Sequence, residues 1–293
     1  MAKIREIKRR IKSVKTTRQI TRAMELVAVT KMRRAELDAT GTRPYATRAW
    51  ALLSHIMKYA ETKSHPLLSI HNEGKILVVV ITPDRGLCGS LTTNILRKAM
   101  SVFSRYSKES IDVITIGKRG QEYFRKRGFT IKATATKLDW KPKLYDIRHL
   151  AKIAIDGYEA KGYREVFLIY SNFVSMASQE PAVKTLFPFS EDGMKEGGNI
   201  ILEQKSEPKK YLYLIEPSPE EVLGTIIRNL VEIEIFQGLL ESNASEHSAR
   251  MIAMHSATEN AGALLDDLSL TYNQARQENI TREIAEINAG AYV

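Results

Sequence analysis

From Glu220 to Val293 the chain contains no proline, and apolar residues recur through that stretch at three- and four-residue spacing. Val222, Ile226, Leu230, Ile233 and Leu240 begin the stripe, Met251, Met254, Leu265, Leu268 and Tyr272 continue it, and Ile280, Ile284 and Ile287 end it. That period is one face of an α-helix. "EPSPEEV" reads as its start, with Ser218 as N-cap, Pro219 at the first helical position and Glu221 closing a capping box. Roughly 70 residues would make about 100 Å of helix. Such a stripe cannot be buried on one ordinary domain, so the helix needs another helix beside it and something outside the chain to cover the excess. Gly224, Gly238 and Gly262 would each cost about 1 kcal/mol unless a close neighbour uses the missing side chain.

The partner is at the other end of the sequence. No glycine or proline occurs from Met1 to Thr40. Ile4, Ile7, Ile11, Val14, Thr17, Ile20, Met24, Val27 and Lys31 form one narrow stripe, close to a coiled-coil seam with a register shift near Thr17. This helix would be about 55 Å long, and "GTRP" (Gly41 to Pro44) is expected to break or kink it before a second helical stretch from Tyr45 to Tyr59. Residues 1–48 hold fourteen lysines and arginines against four acids, whereas residues 216–293 hold four against thirteen. Opposite charge on the two ends favours these helices lying side by side, and the domain that joins their near ends makes the pair antiparallel.

The middle differs in kind. Residues 75–82, 111–117, 129–136, 165–171 and 211–215 read as strands, with helices near 91–106, 118–126 and 144–160 between them. That alternation predicts a largely parallel sheet. "SEDGMKEGGN" (190–199) reads as a polar loop. The expected fold is therefore a long antiparallel α-helical coiled coil of residues 1–60 and 216–293, with a Rossmann-like α/β domain inserted at 61–215.

Little in the sequence points to catalysis. "PDRGLCGS" (83–90) follows a strand and precedes a helix, where α/β proteins often bind phosphate, but it lacks the glycine spacing of either common nucleotide motif. A structural turn or partner contact is the default there, as for "GKRG" (117–120). Cys88 is the single cysteine, which rules out an intrachain disulfide. Of the six histidines, His247 and His255 are eight apart on the long helix and suit polar seam positions better than metal ligation. Asp266 and Asp267 are adjacent and diverge on a solvated face. No catalytic, cofactor or metal site is expected. The formal net charge of +10 raises nucleic-acid binding as an alternative, through the basic N-terminal helix. Residues 1–44 carry no aromatic side chain for base stacking, and the acidic C-terminal helix would go unexplained. The longest apolar run, Ile76 to Ile81, is too short to insert into a bilayer, and no signal-peptide pattern opens the chain.

"IKSVKTTRQITRAMELVAVTKMRRAE", "TPDRGLCGSL" and "ESNASEHSARMIAMHSATENAGALLDDLSLTYNQARQENITREIAEINAGA" closely resemble the gamma subunits of F-type ATP synthases, and the resemblance runs the length of the chain. It implies a non-catalytic rotor shaft in the bore of the alpha–beta hexamer, with the α/β domain at the foot on the c-ring and beside epsilon. Met24 and Arg250 would approach the acidic lever loop of beta, and Lys31 is a further expected contact with beta. Arg276, Gln277 and Thr281 would meet the beta catch loop. Tyr213 and Glu216 would contact the c-ring loop, and Arg85 in "DRGLCG" would lie in the epsilon and c-ring region. The same resemblance implies a peripheral position on the cytoplasmic face of a bacterial inner membrane. A single cysteine leaves no thiol switch of the plastid kind.

Overall fold

The computed structural model describes residues 2–59, 65–189 and 219–290. In chain order the elements are α1 (Ala2–Tyr59), β1 (Lys75–Ile81), α2 (Leu91–Phe103), β2 (Ile111–Ile116), α3 (Lys118–Lys126), β3 (Thr130–Ala135), α4 (Leu144–Glu159), β4 (Tyr163–Phe173), β5 (Gln179–Phe187) and α5 (Pro219–Gly290). They form two compact units: Met1–Thr30 with Arg250–Val293, and Lys31–Ala249.

The larger unit is built on a five-stranded sheet of order β3-β2-β1-β4-β5. The β1, β2, β3 and β4 pairings are parallel, and β5 returns antiparallel along the edge. β1 sits in the middle, and its residues Ile76 to Ile81 are buried on both sides, which explains the unbroken apolar run. Alternate strand residues feed two cores. Ile76, Val78, Val80, Val113 and Ile169 pack on Ile95, Ala99 and Phe103 of α2 and Phe124 of α3. Leu77, Val79, Ile81, Ile114 and Leu168 pack on Leu150, Ala154 and Tyr158 of α4, Leu53 of α1, and Leu223, Ile227, Leu230, Ile235 and Leu239 of α5. The N-terminal ends of β1 to β4 are pinned by buried Asp112, which takes Lys75 and Lys132 at 3.3 Å each and the Tyr163 hydroxyl at 3.3 Å. Burial, then the Asp112 charge, pushes the Tyr163 phenol up to about 12.

Three expectations need correction. Gly41–Pro44 does not interrupt the first helix: Pro44 lies inside α1. The proline withholds one hydrogen bond, but Pro44 and Thr40, whose carbonyl loses its donor, are both exposed, so water can replace it. The turn is also held laterally, because Gln237 of α5 donates to the Ala39 carbonyl at 3.1 Å and its amide oxygen bonds the Thr42 hydroxyl. Second, β5 was not anticipated. Its sequence "QEPAVKTLF" has a proline and a lysine that argue against an interior strand, and it lies at the edge, where both are tolerated. Lys184 is nonetheless buried, with Nζ 2.6 Å from Glu234 of α5. The expected strand 211–215, the loop 190–199 and the Ser218 cap lie outside the described residues.

Third, the seam of α1 does not shift at Thr17. In the smaller unit the buried positions described on α1 are Ile7, Thr21, Glu25 and Ala28, while Ile20 and Val27 are 54% and 58% exposed. An unbroken heptad passes through Ile7, Ile11, Val14, Arg18, Thr21, Glu25 and Ala28, and three of its positions are polar. α5 supplies the partners. The Thr258 hydroxyl donates to Thr21 at 2.8 Å, His255 Nδ1 lies 3.1 Å from Glu25, and Gly262 lies under the Arg18 guanidinium. Partner numbers fall along α5 as they rise along α1, so the two segments run antiparallel.

Candidate functional site

In an open α/β sheet, the ligand crevice lies beyond the carboxyl ends of the strands, where strand order reverses. Here the reversal falls between β1 and β4. The turn after β1 is "TPDRGLCGS", and it is shaped by its own residues. Gly117, the residue after β2, has φ 97°, and an added Cβ would stand 1.8 Å from the Thr82 carbonyl oxygen. That contact brings the turn against the start of α3. Thr82 Oγ1 accepts from the Gly120 N–H at 2.8 Å. Asp84 accepts from the Lys118 N–H at 2.9 Å and from the Lys137 N–H at 2.6 Å.

A carboxylate at a helix N-terminus occupies the place a phosphate would take, and satisfies the same unpaired N–H groups. The protein thus fills its own anion position at "GKRG". The reversal point itself is filled by α5. An ideal Cβ on Gly238 would meet Leu168 at 3.1 Å, Tyr170 at 3.4 Å and Ile81 at 3.5 Å, so glycine sits where the helix presses onto β1 and β4. Cys88 is buried beside Thr92 at 3.5 Å, under the same turn. Among the described residues no group of three or more His, Cys, Asp or Glu side chains converges to hold a metal. Both the helix N-terminus and the reversal point of this rim are thus occupied by the protein's own side chains.

The sequence-derived contact residues fall in both units. In the smaller one, Met24 and Arg250 are half-buried, whereas Arg276, Gln277 and Thr281 on α5 are exposed. Around them Leu26, Ile252, Leu264, Leu270, Ile280 and Ile284 are also exposed, which leaves much apolar surface on a helical pair. An open groove of about 800 Å³ runs between Lys15, Arg18 and Arg22 of α1 and His255 and Thr258 of α5. Burial raises the Glu25 carboxyl, but hydrogen bonds from His255 and Arg22 outweigh it and bring it below its ordinary value.

In the larger unit, Arg85 is exposed at the rim turn. Lys31 is engaged within the protein: its ammonium lies 3.1 Å from Asp139 and 5.4 Å from the Trp140 ring centroid. Burial raises Asp139, but the Lys31 hydrogen bond and charge, aided by His247, hold it below the usual carboxylate range. Tyr213 and Glu216 lie outside the described residues. The Asp84 plug and the Glu25–His255 and Thr21–Thr258 pairs were missed by sequence reasoning. The seam pairs had a signal, since Thr21 and Glu25 stand at heptad positions that an apolar-only reading steps over. The Asp84 plug had none, because its two acceptor contacts are 34 and 53 residues away.

No helix among the described residues is long and apolar enough to cross a membrane. A family model described as ATP synthase matches residues 3–292. The ATP synthase gamma chain of Chloroflexus aurantiacus is 42% identical, with 99% of this chain and 98% of that one covered. That of Pelotomaculum thermopropionicum is 40% identical over 99% of each chain. Among solved structures, a chain of the Euglena gracilis mitochondrial ATP synthase (OSCP/F1/c-ring, rotational state 3) superposes with a TM-score of 0.68 at 20% identity, covering 98% of this chain and 93% of that one. A chain of the Tetrahymena thermophila mitochondrial ATP synthase central stalk and c-ring gives a TM-score of 0.60 at 23% identity, covering 81% and 99%. At those identities the structural likeness speaks to the fold.

Proposed function

The chain belongs to the family of ATP synthase gamma chains, and on that premise we propose how its two units do the work of a rotor. Its function is that of the central rotor shaft, coupling ion-driven rotation of the c-ring to ATP synthesis or hydrolysis at sites on the alpha–beta hexamer. It is non-catalytic, and those sites lie mainly on beta. The observation that carries the assignment is identity of about 40% along the whole chain, both terminal helices included.

The alpha–beta hexamer surrounds the helical pair, and epsilon and the c-ring meet the α/β unit. Met24 and Arg250 work against the acidic lever loop of beta. Arg276, Gln277 and Thr281 work against its catch loop, which their exposure permits. Arg85, Tyr213 and Glu216 serve the foot, toward epsilon and the c-ring. Lys31 contributes to beta contact through the Asp139–Trp140 loop that it fixes. An exposed ion pair is worth about 0–1 kcal/mol, so no single contact carries the torque and the load is spread. The protein is a peripheral component of a membrane ATP synthase, on the cytoplasmic face of a bacterial inner membrane.

Reconstitution tests this. The chain is mixed with alpha and beta subunits from the same source and assayed for a stable complex and for ATP hydrolysis. Assembly that depends on this chain, with raised ATPase that is lost on truncation after Leu270, is the expected result. No association, with salt-sensitive DNA binding instead, would refute the rotor reading.

A further inference from the structure

A rotor must pass torque between its α/β body and its helices, and apolar packing is poorly suited to that. Burial of apolar surface is non-directional and roughly proportional to area, so of itself it sets no register between helix and sheet. Hydrogen bonds are short and angular, and they fix register. α5 uses both in succession. From Leu223 to Leu239 it meets the sheet mainly through apolar side chains, with the buried Glu234–Lys184 pair as the exception. From Glu241 to Ser248 every residue is buried, and all but Ala244 are polar.

These polar side chains grip fixed points on the rim. The Ser171 N–H donates to the Ser242 hydroxyl at 3.1 Å, and the Ser245 hydroxyl donates to the Ser171 carbonyl at 3.2 Å. Ser171 lies on β4 past the end of its pairing with β1, so two helix serines meet its backbone beyond the β1 ladder. Asn243 donates to the Leu138 carbonyl at 2.8 Å, and His247 Nε2 lies 3.2 Å from the Asp139 carbonyl, both in the turn after β3. Ser248 donates to the Met176 carbonyl at 2.6 Å, in the β4–β5 hairpin. One short segment of helix is thus tied to a strand and to two separate loops, in different directions around its own axis. Gly238, one turn earlier, lets it sit close enough to reach.

We propose that residues 238–248 of α5 are a torsional key: a set of positioning residues, seated where an α/β protein would bind a ligand, that stops the helix from turning or sliding against the sheet under load. This rests on the rotor reading and adds to it the place where torque crosses from the body to the helix. Ser242, Ser245 and Ser248 are the central members.

The test uses the complex assembled with alpha and beta, held by its stator, with the catalytic sites stopped by a non-hydrolysable ATP analogue. A probe on the α/β body reports angular variance, which is inversely proportional to torsional stiffness. Treated as equal springs in parallel, the loss of two bonds of five in Ser242→Ala with Ser245→Ala raises the variance of the joint about 1.5- to 2-fold. Ile235→Val, a control in the apolar contact, lowers the thermal midpoint without changing the variance. Ser248→Ala is the milder variant, since its carbonyl partner belongs to an exposed residue, and it raises variance by less. Unchanged variance in Ser248→Ala and in the double variant, or an equal rise in the apolar control, would overturn the key. In a parallel run with ATP in place of the analogue, a wild-type complex that hydrolyses ATP without rotating the probe would instead overturn the rotor reading, and the key with it.

Discussion

Replacing Asp84 by alanine tests the idea that the chain fills its own anion position. The carboxylate accepts two backbone N–H groups, at 2.9 Å from Lys118 and 2.6 Å from Lys137. Hydrogen bonds to a charged group contribute about 1.5–3 kcal/mol when well shielded. Asp84 is half-exposed and both N–H donors belong to exposed residues, so water recovers part of each loss, and about 1 kcal/mol per bond is a fair value. The negative charge at the first turn of α3 adds about 0.3–1 kcal/mol. Asp84→Ala should therefore cost about 2–3 kcal/mol in urea unfolding of the full chain, read from the shift in midpoint at constant slope. Asp84→Asn keeps one acceptor and loses the charge, so it should fall between wild type and alanine. A cost for Asp84→Ala below about 0.5 kcal/mol, the level of an ordinary surface change, would refute the reasoning.

Other outcomes are as definite. Gly117→Ala should cost more than about 4 kcal/mol or prevent folding, because its Cβ would overlap the Thr82 carbonyl and force a strained backbone; soluble expression and urea unfolding check it. Burial holds the His65 imidazole below its ordinary value, against the raising effect of Glu159 and with a lowering one from Arg228. The neutral form is thus favoured in the fold. Stability from this site is complete above the unfolded value of 6.5 and is lost as pH falls through it toward the lower folded value, so His65→Asn should flatten unfolding curves between pH 7.5 and 5.5. Lys31→Ala should cost about 1 kcal/mol and raise the Asp139 titration, and a double-mutant cycle with Asp139→Asn should show the two effects are coupled. The Asp139 carboxyl is held low, so that contribution is present above its ordinary value of 3.8 and fades as pH falls through the folded one. Arg276→Ala with Gln277→Ala should lower coupled turnover of the assembled complex far more than it lowers the stability of the isolated chain, since both side chains are exposed. Unchanged turnover would mean that the catch contact is dispensable.

The sequence by itself determined the elements whose signal is local. A proline-free run with helical period can only be helix, so both terminal helices and their charge asymmetry were legible, as were β1, β2, β3 and β4 from apolar runs bounded by turns. What it misjudged were positions whose local chemistry and tertiary setting disagree. Pro44 reads as a stop, yet an exposed turn braced through Thr42 by Gln237, 195 residues further along from Thr42, carries the helix through it. Ile20 reads as core and is exposed, because Thr21 and Glu25 hold the seam only when Thr258 and His255 arrive from the far end of the chain. "ESNASEHS" carries no apolar periodicity to mark it as core and is buried, because the rim of a sheet built from distant strands offers its hydroxyls and amide backbone partners. The physical reason is common to all three. Hydrophobic burial and backbone propensity depend on residue type and near neighbours, so periodicity reports them. A buried polar group is stable only with its partner in place, and that partner is chosen by the fold.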